Sequence, residues 1–386
     1  MKILFYEWEN LGKEDVIDCL HNLGHEVVCI SSPLIHLRNS DEFDHLFEES
    51  ISQNLFDFVF TFNYCPIISI NCNRRNLKYI SLIYDSPLVS LYSYTVINPC
   101  NYIFTFDSAQ YLEFKKNKIN TIHYIPLAVN VNRLDNMLVS SDIIDRFSSD
   151  VSFVGSMYNE KHNLYDRLEN LKPYTQGYLN GIMAAQQEIY GSFIIEELLN
   201  GPILSDMISS LAYTPNSDGV ETQAYIYANY FVARKIAELE RKNLLSSVST
   251  QFDTKLYTPN PTPDIRTIKN MGSIDYYNAM PYVFKCSNIN LNITLRSIRN
   301  GIPLRAMDIM GAGGFLLTNY QYDFLEHFIP GEDFNYFDSK ADLLSKIRYY
   351  LSHESERIQM AQNAHGKIKD FHTYEKRFQE IFNIVF

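Results

Sequence analysis

Short apolar runs that return at intervals long enough for a helix constrain this chain more than any other feature. "KILFY", "HEVVCI", "FDFVFTF", "KYISLIY", "NYIFTF" and "TIHYIPL" mark out the first third. Between the first two, "EDVIDCLHNLG" sets Val16, Ile17, Leu20 and Leu23 at helical spacing and closes on Gly24, a residue suited to a helix C-terminus. Such alternation implies βαβ units and a parallel sheet. "KILFY" is apolar at nearly every position, as a strand covered on both faces should be. In sheets of this kind ligands sit beyond the carboxyl ends of the strands.

"PLAVNVNRLDNM" reads as a linker, and "DVSFVGSMYNE" starts the rhythm again with a buried strand that ends at Gly155 and Ser156. From about residue 160 to 250 the pattern is almost wholly helical, as in "ETQAYIYANYFVARKIAELERKNLLSSVS", which predicts an inserted helical subdomain. "TKLYT", "IKNMGSI", "NINLNIT", "GGFLLTN" and "FNYF" then resume the strand–loop–helix order, and helices close the chain. The expected architecture is two doubly wound α/β domains in tandem, 1–132 and 133–370. A chain of 386 residues exceeds a single small core, which agrees.

Charge and cysteine usage narrow the function. The formal net charge of −12 argues against a nucleic-acid coat, which needs a basic face, but leaves room for a local basic pocket. The six cysteines are scattered, with no C-x-x-C pair and no histidine at zinc spacing, so most of them read as small buried apolar residues. The start "MKILFYEWEN" turns acidic too soon for a signal peptide, and no run approaches the roughly 20 apolar residues of a membrane span. A soluble, cytoplasmic protein is expected.

The stretch "RNGIPLRAMDIMGAGGFLLTN" carries the chemistry. Gly301 and Pro303 suit a loop entering a helix. The free N–H groups of a helix start make an anion site, to which the helix dipole adds about 0.3–1 kcal/mol. Arg305 and Asp308 lie three apart and share a face. The guanidinium matches phosphate geometry, and a carboxylate can accept from adjacent ribose hydroxyls. A plain Arg–Asp bridge between helices is the competing reading. Gly155 permits close backbone approach and Ser156 offers an N–H and a hydroxyl. Beyond Gly272, Tyr276 could stack on a base or fill a core. Thr258 and Thr294 end strand-like runs, as ligand contacts or as helix caps.

Taken together, "INLNITLRSIRNGIPLRAMDIMGAGGFLLTN" and the helical tail resemble the C-terminal domain of CgeB-like (spore maturation protein) bacterial glycosyltransferases. "FTFNYCPIISINC", "YISLIYDSPLVSLYS" and "NYIFTFDSAQYLEFKK" resemble the N-terminal domain that accompanies it. The resemblance implies the GT-B architecture: two Rossmann-like domains facing a cleft, a nucleotide-sugar donor on the second domain, and a last helix, 371–386, crossing back to the first. Many retaining members of the superfamily carry two glutamates eight positions apart. Here Asn300 and Asp308 stand at those positions, so the charge set against the sugar is absent. Asp308 is expected to hold the ribose, while Arg299 and Arg305 neutralise the departing diphosphate without a metal. For an inverting reaction Asp85 in "YDSP" is the first choice of base, with Pro87 opening the next helix; a helix cap is the alternative. Asp107 in "FDSAQ" reads more like a cap, His25 as structural, and Glu7 and Trp8 as lining for an acceptor.

The expected activity is thus hexosyl transfer from a nucleotide-diphosphate sugar, with UDP the first expectation, to a polysaccharide, cell-envelope or protein acceptor, with no further cofactor. The helical segment offers a homodimer surface. Sugar-nucleotide epimerisation or hydrolysis, and a non-catalytic donor-binding role in an assembly, are the alternatives on the same fold.

Overall fold

The computed structural model describes residues 1–8, 10–52 and 54–386. It divides into two units: Met1–Val129 with Pro215–Glu221 and His372–Phe386, and Asn130–Thr214 with Thr222–Phe371.

The first unit is built on six strands: β1 (Lys2–Glu7), β2 (Glu26–Ser31), β3 (Phe58–Phe62), β4 (Lys78–Leu82), β5 (Asn101–Thr105) and β6 (Ile122–Tyr124). They pair in parallel in the order β2-β1-β3-β4-β5-β6. Successive side chains of a strand point to opposite faces. Leu4, Tyr6, Val59 and Tyr79 therefore join a cluster with Phe43, Phe47 and Ile68 on one side. Ile3, Phe5, Phe58, Phe60 and Ile80 join Val16, Leu20, Phe378 and Ile381 on the other. With both faces covered, the apolar runs have no polar parity, which explains the continuous strand signal. Helix Tyr374–Val385 belongs to this unit and supplies Phe378 and Ile381. Gly12 sits at φ +82, where a Cβ would come within 2.7 Å of the Tyr374 hydroxyl.

The second unit repeats the plan with β7 (Ser149–Val154), β8 (Thr254–Tyr257), β9 (Lys269–Asn270), β10 (Ser287–Asn292), β11 (Leu316–Asn319) and β12 (Asn335–Phe337), ordered β12-β11-β10-β7-β8-β9. The segment between β7 and β8 is helical, with Pro173–Glu188, Gly201–Ser210 and Ala233–Ser249 its longer helices. The last of these is the crossover that covers the sheet: Leu244, Leu245 and Val248 pack with Val151, Leu256 and Ile289. The part expected as insertion thus ends in a helix that belongs to the sheet's own core. The "GAGG" turn does the packing its glycines suggest, since a Cβ on Gly314 would lie 2.6 Å from the Phe284 carbonyl oxygen.

Strand order fixes where each sheet can hold a ligand. In the first unit the chain runs outward from β1 to β2, then returns to the other side at β3. In the second it runs from β7 through β8 and β9, then returns at β10. The crevices beyond the carboxyl ends of β1/β3 and of β7/β10 are therefore the two topological switch points.

Candidate functional site

At the β7/β10 switch point the two strand ends are tied by a side chain that the sequence reading did not single out. Arg241, 7% exposed, projects from helix Ala233–Ser249. It donates through Nη1 to the Ser156 carbonyl and through Nη2 to the Ile293 carbonyl at 2.5 Å. Its guanidinium also lies over Tyr158, 4.7 Å from the ring centre. Its Nε–H meets no acceptor among the described residues. The signal was present in "AELERKNLLSSV": Glu240 and Arg241 fall on the apolar stripe of Ala237, Leu244, Leu245 and Val248. A charge on a buried face needs a reason, because an unpaired buried ion is costly.

For Glu240 the reason is structural. It is 3% exposed and pairs with Arg296, which donates from Nε to Oε2 at 3.1 Å and from Nη2 to Oε1 at 2.5 Å. Arg296 stacks on Tyr190 at 3.8 Å and reaches the Gln187 carbonyl, so this pair anchors the helical segment to the loop after β10. Among the described residues no carboxylate forms an ion pair with Arg241. Burial pushes its guanidinium below the usual range, with Tyr158 and Glu240 opposing and Arg305 adding to the shift. An arginine nonetheless stays charged.

Arg305 and Asp308 stand on helix Leu304–Gly311, whose N-cap is Pro303 rather than a residue of its first turn. The Leu304 and Arg305 N–H groups have no intrahelical acceptor, as at any helix start. Asp308, 5% exposed, accepts from the Tyr276 hydroxyl at 3.1 Å and has Arg305 Nη1 at 3.8 Å from Oδ2. Arg305 also contacts the Met280 sulfur and lies over Phe284 at 5.8 Å. Burial lowers its pKa, while Asp308 and Tyr276 work the other way. Two arginines against one carboxylate leave a positive excess beside a helix N-terminus, within a chain whose net charge is −12. That is the chemistry of an anion site.

The remaining expected residues divide. Gly155 and Ser156 lie at the site, Gly155 close under the Phe153 ring and Arg241, so that backbone approaches closely there. Ser156 Oγ donates to Glu160 Oε1 at 2.8 Å and approaches Asn260 Oδ1 at 3.1 Å. Its hydroxyl is therefore spent on the loop. Burial works against the Glu160 charge, but bonds from Ser156, its own backbone and Asn260 outweigh it and hold the carboxyl below the usual range. Tyr276 is 8% exposed and edge-on to Tyr277, so it is a wall and a partner for Asp308 rather than an open stacking face. Thr258 and Thr294 are buried and close turns, bonding Asn260 and Asn292 respectively; neither caps a helix. Gly272 turns at φ +80 after the short β9, with its N–H on Asn270 Oδ1. Arg299 and Asn300 are partly exposed on the loop before the helix, Gly301 is buried, and the Asn300 carbonyl accepts from Asp323 N at 3.1 Å.

In the first unit, Asp85 is exposed beyond β4 and caps nothing. Pro87 does not open a helix; the next element is the 3₁₀ turn Val89–Tyr92. What holds Asp85 is Asn63, in left-handed conformation at φ 56, which donates to Asp85 Oδ2 at 2.7 Å and accepts from the Tyr84 and Asp85 N–H groups. Asp107 is a cap, accepting from Ala109 N at 3.0 Å. His25 bonds the chain terminus and packs edge-on to Phe382, a structural place. Glu7 pairs with Lys13 at 3.2 Å. Among the described residues no three His, Cys, Asp or Glu side chains are grouped to hold a metal ion, and no helix is long and apolar enough to cross a membrane.

Residues 234–383, less than half of the 386-residue chain, match a family profile described as glycosyl transferase-like. No curated protein matches the chain by sequence. Similar solved structures include a sucrose-phosphate synthase from Thermosynechococcus elongatus, with TM-score 0.57 and 9% identity over 100% of this chain and 99% of that one. A glycosyltransferase from Rickettsia africae has TM-score 0.53 and 11% identity, over 99% and 97%. Anabaena HepE in complex with UDP and glucose has TM-score 0.54 and 11% identity, over 100% and 99%. At such identities the likeness is one of fold. The chain thus has the two-unit α/β fold of GT-B glycosyltransferases, each unit on a six-stranded parallel sheet, and a glycosyl transferase-like segment in its second unit and last helix.

Proposed function

We propose that the protein is a glycosyltransferase that takes its sugar from a nucleoside diphosphate sugar held at the β7/β10 switch point. The observation that carries this is the positive excess of Arg241 and Arg305 at the start of helix Leu304–Gly311, beside the buried carboxylate of Asp308. The helix N–H groups and Arg305 suit the diphosphate, and Asp308 suits the ribose hydroxyls. A buried N–H without an acceptor, as on Arg241, costs about 1–3 kcal/mol, so a ligand that satisfies it gains accordingly.

In transfer, the acceptor hydroxyl loses its proton to a carboxylate, for which Asp85 is our choice. The oxygen bonds the anomeric carbon, and the bond to the diphosphate breaks with its electron pair leaving on phosphate. Arginines receive that charge, so the step needs no metal. Asn300, uncharged where a retaining enzyme would carry a glutamate, favours inversion. The resemblance to CgeB-like proteins and the cytoplasmic location belong to this proposal, as does an envelope, polysaccharide or glycoprotein acceptor. HepE has been solved with UDP-glucose, which makes UDP-glucose the first donor to test.

The test is a metal-free thermal titration with nucleotides and nucleotide sugars. Ligand at a hundredfold excess over Kd should stabilise the protein by about 2.7 kcal/mol. A rise with one nucleotide family, absent in Arg305→Ala and Asp308→Ala, supports the site. No rise with any nucleotide, or normal donor turnover in both variants, refutes it.

A further inference from the structure

Among the described residues, five other than glycine adopt a positive φ: Asn63, Asn76, Lys118, Tyr158 and Asn170. Three are asparagines, a type that tolerates this region. Lys118 lies just past the end of helix Ser108–Lys116, an ordinary place for it. Tyr158, at φ 57 in the turn after β7, has neither excuse. A bulky side chain in the left-handed region is strained, and it persists there only where its surroundings fix it. They do so on both sides. The Tyr158 N–H donates to Ser156 Oγ at 2.9 Å, and its carbonyl accepts from Asn163 Nδ2 at 2.7 Å.

The strain places an aromatic ring against a buried cation. The Arg241 guanidinium has two rings about it, Phe153 at 5.1 Å and Tyr158 at 4.7 Å. Phe153 is part of β7 and 2% exposed, so the sheet fixes it. Tyr158 is only half-buried, and its backbone conformation is what sets its ring. The same ring lies 5.9 Å from exposed Arg234, seven residues before Arg241 and so on the same helix face. The negative face of a ring attracts a guanidinium that no carboxylate pairs. With its two Nη groups on the Ser156 and Ile293 carbonyls and rings beside it, Arg241 has lost its rotamer freedom, while its Nε–H keeps no acceptor among the described residues. A donor ordered before its ligand arrives binds more tightly than one that must be ordered on binding. We propose that Tyr158 is a positioning residue, whose strained backbone holds its ring on Arg241 so that an anion meets the guanidinium already oriented. That this anion is the diphosphate of a nucleotide sugar rests on the glycosyltransferase reading; that Tyr158 orients Arg241 for an anion does not.

The experiment is a calorimetric titration of the whole protein with inorganic pyrophosphate and with UDP, in the parent and in Tyr158→Phe, Tyr158→Leu and Tyr158→Gly. Urea unfolding and far-ultraviolet circular dichroism accompany each variant. Phenylalanine keeps the ring, so its Kd should stay within about twofold of the parent's. Leucine keeps the bulk and the strained backbone but has no aromatic face. It should weaken pyrophosphate about 3- to 30-fold, the worth of one cation–π contact. Glycine adopts the turn without strain and should weaken it at least as much, which repeats the test should leucine unfold the turn. The ranking is read on UDP where only UDP binds. Phenylalanine and leucine variants that bind alike, whether both are kept or both weakened, overturn the proposal and leave the donor site standing. Tighter binding in the leucine or glycine variant overturns it too, because the ring would then cover the site rather than prepare it. Pyrophosphate bound with the expected ranking, but UDP bound by no variant or parent, keeps the role of Tyr158 and removes the nucleotide-sugar reading. A parent that binds neither anion overturns both.

Discussion

Replacing Asp308 by asparagine separates its two tasks. In the folded protein the residue is 5% exposed, with the Tyr276 hydroxyl at 3.1 Å and Arg305 at 3.8 Å. An asparagine keeps an oxygen for Tyr276 and loses the charge facing Arg305. The Arg305 side chain is 21% exposed, so the lost attraction costs the fold about 1 kcal/mol or less. For a unit of this size that lowers Tm by about 2–4 °C. The ligand should lose more. Bonds to a charged acceptor are worth about 1.5–3 kcal/mol and neutral ones about 0.5–1.5, so two ribose bonds lose about 2–3 kcal/mol in all. That is about 30- to 150-fold in Kd. Arg305, relieved of its carboxylate, should hold pyrophosphate at least as well as before. Calorimetric titration of parent and variant with UDP and with pyrophosphate reads both effects. Unchanged UDP affinity refutes the ribose role. An equal loss for UDP and pyrophosphate shows that Asp308 acts only by supporting Arg305.

Three further outcomes follow from the same geometry. Arg241→Met removes two bonds to backbone carbonyls, that of Ile293 buried and that of Ser156 partly so, at about 1.5–3 kcal/mol each, so urea unfolding should move to markedly lower denaturant and UDP binding should vanish. Retention of both would mean that Arg241 neither ties the strand ends nor meets the ligand. Gly314→Ala drives a Cβ against the Phe284 carbonyl and should cost about 1–3 kcal/mol in urea unfolding; a neutral change would contradict the packing of the turn on β10. Glu160 has its folded pKa held below the usual value, so its contribution is present above the unfolded pKa and fades as pH falls through the folded one. Stability measured downward from pH 6 should therefore fall less steeply in Glu160→Gln than in the parent, and identical acid limbs would remove Glu160 from the account.

The division between what was legible and what was not follows the range of the interactions. Strands β1 and β3 were readable because a strand buried on both faces is apolar at nearly every successive position, a property of neighbours in sequence. The Gly301-to-Asp308 stretch was readable for the same reason: a loop, a helix start and a charge pair at spacing three all lie within a few residues. Tyr276 stayed open between stacking on a base and filling the core because its place depends on Asp308, 32 residues away, which takes its hydroxyl. Asp85 was seen, but not what holds it: Asn63 reaches it only because β3 and β4 lie side by side. Arg241 is the clearest case. Its partners are 85 and 52 residues distant, on strands that become neighbours only when the chain reverses direction across the sheet. The sequence by itself determined two parallel α/β sheets and a helix start with Arg305 and Asp308 one turn apart, because periodicity and helix ends are local. Which charges converge on that helix, and which residues wall the crevice at β1/β3, were decided by strand order, since a switch point exists only once the strands are paired.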